Sequence, residues 1–226
     1  MWALVYPHTL ETMKLIGMLD SPYVRRVAVS MQLLGLHFEH LSLSVFSTFD
    51  EFAQINPVVK APSLVCDDGQ VLMDSGLILD YAETLAAQKM RYRSLMPTGV
   101  LERQQALRVI GLALAVCEKS VQIVYERNLR PVEKLHEPWM SRVTGQLLAA
   151  CNALELELGT NPPAITSSSV NQAGVTAAVA WHFTQKMLPE VVDEAAYPRL
   201  CQFSALAEEM AEFKAAPHGA GVYERH

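Results

Sequence analysis

Ser21 stands at the head of Ser21-Pro22-Tyr23-Val24-Arg25-Arg26-Val27, directly after a short apolar run from Lys14 to Met18. A hydroxyl residue followed by proline at a strand-to-helix junction puts an O–H donor where the helix dipole is most positive, a setting that suits a thiolate. An ordinary helix cap would use the same residue types, so the neighbouring motifs decide between the readings. In Lys60-Ala61-Pro62 a proline directly precedes an apolar strand and cannot pair through its own nitrogen. A cis bond there would turn the backbone groups of Ala61 toward a pocket, where they could pair with an extended peptide. Asp74-Ser75 opens another helix: it is a capping pair, and equally an anion site suited to a carboxylate, with Asp74 able to meet an ammonium.

The elements that must hold these residues alternate in type as far as residue 87. A strand is expected at 13–18. A helix follows at 22–34, with Ser21 as N-cap, Pro22 in its first turn and Gly35 as its stop. Phe38 to Val45 alternates Leu41, Leu43 and Val45 with Ser42 and Ser44, as a half-buried strand does. Two further strands flank Asp67-Asp68-Gly69-Gln70, a hairpin signal, and a helix runs from Asp74-Ser75 to about residue 85. A strand-helix-strand unit followed by a hairpin makes a small mixed sheet of four strands covered by helices. Residues 1–12 form an N-terminal extension before Met13, and 89–100, bearing Lys89, Arg91, Arg93, Pro97 and Gly99, form a linker. Beyond it, helices are expected at 101–127, 138–158, 169–187 and 197–214, separated by proline-bearing loops such as Asn161-Pro162-Pro163.

Composition narrows the function classes. The chain has 226 residues, 50% of them apolar, and a formal net charge of −6 with scattered Lys and Arg, which disfavours nucleic acid as a partner. The apolar run Val109 to Cys117 is far shorter than the roughly 20 residues that span a bilayer, and the N-terminus lacks a signal-peptide pattern, so a cytoplasmic protein without a membrane partner is expected. Cys66, Cys117, Cys151 and Cys201 are widely spaced in apolar surroundings; free thiols are expected, and no metal site. Residues 106–117 carry one charge, Arg108, so that helix must be covered on most sides by its neighbours or by a second chain.

Strand, capped helix, strand, proline turn, hairpin, helix is the order of a thioredoxin-like domain, and Ser21-Pro22-Tyr23-Val24 stands where a redox member carries Cys-x-x-Cys. Without either cysteine, dithiol exchange is unavailable, and the site must act on a thiol brought by a ligand. Together the motifs at 21–27, 60–62 and 74–75 and the long helical second half resemble the cytosolic glutathione transferase family, in a serine-type, bacterial-like form, over residues 13–216.

The resemblance implies a thioredoxin-like domain at 13–88 that binds glutathione, an all-helical bundle domain at 101–226, and a homodimer. It implies conjugation of the glutathione thiolate to a hydrophobic electrophile, in the manner of a detoxification transferase, with glutathione as co-substrate and no tightly bound cofactor. Ser21 would donate to the sulfur, Ala61 would pair with the cysteinyl backbone beside the structural Pro62, Asp74 and Ser75 would hold the γ-glutamyl ammonium and carboxylate, and Lys60 would take the glycyl carboxylate. The family's tyrosine-dependent classes place a tyrosine near the end of the first strand, where this chain has Met18-Leu19; Tyr23 is the alternative donor. Relatives that keep this scaffold for binding or regulation, or for glutathione-dependent isomerase or peroxidase chemistry, would share the site. The chain departs from the family pattern at Val59, where Gly or a polar residue is usual, at Asp74 in place of Glu, and at Ser169-Val170-Asn171-Gln172, read as a helix-start box that lacks its usual acid. Cys117, Val121, Tyr125 and Trp181 would wall the second-substrate pocket or belong to the core.

Overall fold

The structure is a computed structural model that describes residues 12–90, 92–160 and 162–223. The expected N-terminal extension therefore lies, apart from Thr12, outside the described residues, as do Arg91 of the linker and Asn161 of the proline loop.

Strand β1 (Lys14–Ile16) is central because Leu15 and Ile16 are both wholly buried. It pairs in parallel with β2 (Glu39–Leu41) and antiparallel with β3 (Ser63–Val65), which pairs antiparallel with β4 (Val71–Met73). The sheet is thus mixed and four-stranded, as the alternation of elements predicts, and its strand order is β2-β1-β3-β4. Helix α1 (Pro22–Leu33) connects β1 to β2 and buries Val24, Val27, Ala28 and Met31 against it. Its end is a Schellman motif: Gly35, at φ 64°, donates to Gln32 O, and Leu36 N donates to Met31 O. At the hairpin, Gly69 at φ 84° donates to Cys66 O at 2.9 Å, and Cys66 N closes on Gln70 O. Helix α3 (Ser75–Ala86) follows β4, with Asp74 as its N-cap.

Two features depart from the sequence reading. The strand expected over 38–45 stops at Leu41, because Ser44 and Thr48 bond each other: Ser44 N donates to Thr48 Oγ1, Thr48 Oγ1 donates to Ser44 O, and Ser44 Oγ accepts from Phe46 N and Ser47 N. These local side-chain bonds offer the backbone an alternative to the ladder. The chain then forms a helix that the sequence reading missed, α2 (Phe49–Ile55), seated on the wholly buried Phe52. Its signals are Asp50 and Glu51 in the first turn and Pro57 just past its end.

After residue 99 the described chain is helical: α4 (Val100–Leu129), α5 (Glu137–Thr160), α6 (Gln172–Met187), α7 (Pro198–Glu208) and α8 (Ala211–Lys214). α6 is the enclosed helix, buried without interruption from Gln172 to Trp181. By contrast the 106–117 segment of α4, expected to be covered on most sides by its neighbours or by a second chain, leaves Leu107 52% exposed in this chain. α6 begins at Gln172, not 169: Asn171 is the N-cap, its side chain accepting from Gly174 N at 2.9 Å, so the box proposed around Ser169 sits two residues too early and its acid position holds Gly174. The single helix expected at 197–214 is broken at Met210, whose extended backbone (ψ 145°) lets Phe213 turn inward beneath Arg25.

Arg25 fastens α1 to the helical half. Nη1 and Nη2 grip both carboxylate oxygens of Glu208 at 2.7 and 2.6 Å, Nε donates to Ala216 O at 2.7 Å, and the guanidinium lies over the Phe213 ring. The residues after α8 return to the edge strand β2: Ser42 Oγ donates to Ala220 O, Tyr223 N to His40 Nδ1, and the Tyr223 ring stacks on Phe38.

Candidate functional site

Ser21 sits where β1 ends and α1 begins. As a cap its hydroxyl is loosely engaged, with Val24 N 3.5 Å from Oγ, at the limit of a hydrogen bond, while Ser21 O takes a firm bond from Arg25 N at 2.9 Å. The cap therefore rests on the backbone, and the hydroxyl proton is available to a ligand. Gly17, at φ 132°, makes this junction possible: a Cβ there would lie 2.7 Å from Val24 Cγ2 and 3.1 Å from Ala61 Cβ, so any side chain would push the helix and the proline turn off the strand end. His40 Nε2 holds Gly17 O at 2.7 Å from the other side.

The Ala61–Pro62 bond is cis, as the peptide-pairing reading requires. Buried Asn56 anchors this turn: its Nδ2 donates to Ser63 Oγ at 2.8 Å, Ser63 Oγ donates to Lys60 O at 2.8 Å, and Asn56 Oδ1 accepts from Val58 N. That anchoring holds Val59 at φ 50°, a left-handed conformation unfavourable for a β-branched residue. Among the described residues Asp74 is the other non-glycine with positive φ, at 75°. Two of the three places where the sequence departs from the family pattern are thus strained residues beside the site.

Asp74 Oδ1 accepts from Gly76 N at 2.9 Å and Oδ2 lies 3.4 Å from Lys60 Nζ. Partial burial pushes this carboxyl upward, but the Gly76 amide and Lys60 outweigh it, and it titrates below the ordinary aspartate range. Lys60 is thereby turned toward Asp74. Ser75 Oγ accepts from Arg26 Nη1 at 3.0 Å in the buried layer between α1 and α3.

Ser21, Lys60 and Ala61 line one cleft of about 430 Å3 between the sheet end and the helices. Its far wall is apolar: Val121, Val124 and Tyr125 from α4, with Phe183 and Met187 from α6. Phe46, in the β2–α2 connection, meets Tyr125 edge-on at 5.5 Å, and both rings are about half exposed at the entrance. Asp74, Ser75 and Pro62 do not line this cleft; Asp74 reaches it through Lys60. Of the expected wall residues, Val121 and Tyr125 are in place. Cys117 is instead fully buried, its thiol pushed up to about 12 by desolvation, and Trp181 packs in the core against Tyr197.

Sequence reasoning missed Phe46, which stands in the stretch read as the end of a strand and the loop after it, and Asp20, which lines the cleft next to Ser21. Burial raises the Asp20 carboxyl against the lowering effect of His218 and the Ser21 amide. Tyr23 also lines the cleft; desolvation, with Cys117 and Glu118 adding to it, pushes its phenol well above its ordinary value, so it is a neutral O–H donor. Among the described residues no group of three or more His, Cys, Asp and Glu could hold a metal ion, and no helix is long and apolar enough to cross a membrane.

The family of glutathione S-transferase N-terminal domains matches residues 15–90. The uncharacterized GST-like protein YibF of Escherichia coli is 27% identical over 170 residues, 74% of this chain and 80% of that one. Glutathione S-transferase U4 of Arabidopsis thaliana is 28% identical over 124 residues, and the match spans about half of each chain (50% and 54%). A glutathione transferase family member from Pseudomonas fluorescens Pf-5, solved with bound glutathione, superposes with a TM-score of 0.76 at 26% identity, over 91% of this chain and 98% of that one.

Proposed function

The chain is a member of the cytosolic glutathione S-transferase family, and from that premise we propose that it binds glutathione and conjugates its thiolate to a hydrophobic electrophile. The observation that carries this reading is the position of Ser21: a hydroxyl barely used as a cap, at a helix N-terminus, on the floor of a cleft whose opposite wall is apolar. A free thiol titrates near ~8.5, and lowering that by about two units takes roughly 2.7 kcal/mol of preference for the thiolate. A hydrogen bond to the charged sulfur together with the helix terminus is of that size.

In this reading Ala61, beside cis Pro62, pairs with the cysteinyl backbone, Asp74 and Ser75 receive the γ-glutamyl group, and Lys60 is shared between Asp74 and the glycyl carboxylate. The electrophile lies against Val121, Val124, Tyr125 and Phe183, and Phe46 with Tyr125 flanks its entry. Catalysis rests on thiolate stabilisation and positioning. Residues 13–88 would then act as the glutathione-binding domain and 101–226 as the helical domain, in a cytoplasmic protein of detoxification type. Exposed Val100, Leu101 and Leu107 on α4 favour a homodimer through that helix; sedimentation at micromolar concentration should give twice the chain mass, and a monomeric mass would refute it.

Turnover of an aryl halide by wild-type protein and Ser21→Ala tests the enzymatic reading. The serine variant should lose turnover far more than glutathione affinity. A second reading, a glutathione-binding scaffold without conjugation, is favoured by the Lys60–Asp74 pair, which already occupies two of the ligand's charged contacts. Retention on immobilised glutathione without turnover on any of a panel of electrophiles would decide for it.

A further inference from the structure

Arg25 and Arg26 are successive, and both are buried, at 1% and 2% exposure, yet they are treated differently. Arg25 has the Glu208 carboxylate and the carbonyls of Ala216 and Phe213. Arg26 has one side-chain partner, Ser75 Oγ; its Nε has no hydrogen-bond partner, and among the described residues no carboxylate lies within ion-pair distance of it. A buried cation without a counter-charge is costly, and that cost falls if the site it faces receives an anion. Asp74 is a nearby acid, but its oxygens are already committed to Gly76 N and Lys60. Ser75 opens the twelve-residue helix α3, whose N-terminus adds positive partial charge in the same place. Because Ser75 Oγ accepts from the guanidinium, its single proton must point elsewhere, toward an acceptor.

We propose that Arg26 is a positioning residue of the ligand site, acting through Ser75: it fixes the serine hydroxyl as an outward donor and supplies the charge that selects an α-carboxylate at the start of α3. This rests on the glutathione reading and assigns the γ-glutamyl carboxylate as the group selected. The guanidinium buried beside that helix start, with Nη1 on Ser75 Oγ and Nε without a hydrogen-bond partner, carries the assignment.

The test is isothermal titration of wild-type protein, Arg26→Met and Arg26→Gln with two peptides: glutathione, and 4-aminobutyryl-cysteinyl-glycine, which keeps the amine and lacks only the α-carboxylate. Wild type should favour glutathione, and Arg26→Met should reduce that preference about tenfold, as loss of a charge-assisted contact does, while affinity for the decarboxylated peptide stays within about twofold. Arg26→Gln keeps a polar donor at the level of Nε, without the charge and short of the Nη1 contact to Ser75, and carries the comparison should Arg26→Met fail to melt cooperatively; its preference should also fall. Equal weakening toward both peptides would show a packing role alone and overturn the proposal, as would an unchanged preference. If wild type binds neither peptide, the glutathione reading itself fails, and the proposal with it.

Discussion

Replacing Arg25 by methionine should unfasten α1 from the helical half of the molecule. The side chain is 2% exposed and makes a two-pronged contact with Glu208 at 2.7 and 2.6 Å, a bond to Ala216 O at 2.7 Å and a contact with the Phe213 ring. Methionine preserves much of the apolar stem, so the loss is mainly of the charged head. Removing one partner of a buried pair costs about 3–5 kcal/mol when the other charge is stranded. Glu208 is 23% exposed and also lies 3.2 Å from His182 Nδ1, so water and that ring recover part of the loss, which places the expected cost near the lower end, about 3 kcal/mol. For a chain of this size that is a fall in Tm of roughly 6–12 °C. Denaturant unfolding of Arg25→Met, Glu208→Gln and the double variant should show the second substitution costing little once the first is made, a coupling of about 1–3 kcal/mol. A loss below about 1 kcal/mol with additive singles would mean that the pair behaves as a surface ion pair, and would refute the fastening role.

Val59→Gly should stabilise the protein by about 1 kcal/mol, because the native φ of 50° costs a β-branched side chain more than glycine's extra unfolded entropy; a lowered midpoint of unfolding would contradict this. His40 donates through Nε2 to Gly17 O and accepts at Nδ1 from Tyr223 N, and burial lowers its pKa below the ordinary 6.5. Its contribution to stability is therefore present above pH 6.5 and lost as pH falls through the lowered folded value. Protection of the Tyr223 amide, its exchange rate taken relative to the intrinsic rate at each pH, should fall over that acid range in wild type and lose this pH dependence in His40→Gln; pH-independent protection in wild type would count against the contact.

The elements with strong local chemistry were legible in the sequence. Ser21-Pro22 and Gly35 bounded α1 to within a residue, the Asp-Asp-Gly turn announced the hairpin, and the alternation of types announced a mixed sheet. The end of β2 and helix α2 were not legible, because Ser44 and Thr48 satisfy the backbone through side chains that a period-two pattern does not register, and a seven-residue helix with one buried residue has no period to find. The start of α6 was misplaced because Ser169 and Asn171 are both competent caps, and only the bond to Gly174 N separates them. At the site, the motifs named Ser21, Lys60, Ala61, Asp74 and Ser75, but spacing along the chain could not show that Lys60 would close on Asp74, that Arg26 would reach Ser75, or that Phe46 would meet Tyr125 across the cleft. Those are contacts between distant segments, fixed by packing.

The proposed thiolate activation depends on the hydroxyl of Ser21, and the most direct measurement is the pH titration of bound glutathione thiolate by its ultraviolet absorbance. In wild type the midpoint should lie about two units below the free thiol, near ~6.5, and in Ser21→Ala it should return toward ~8.5. Equal midpoints in the two proteins, with glutathione bound in both, would contradict it.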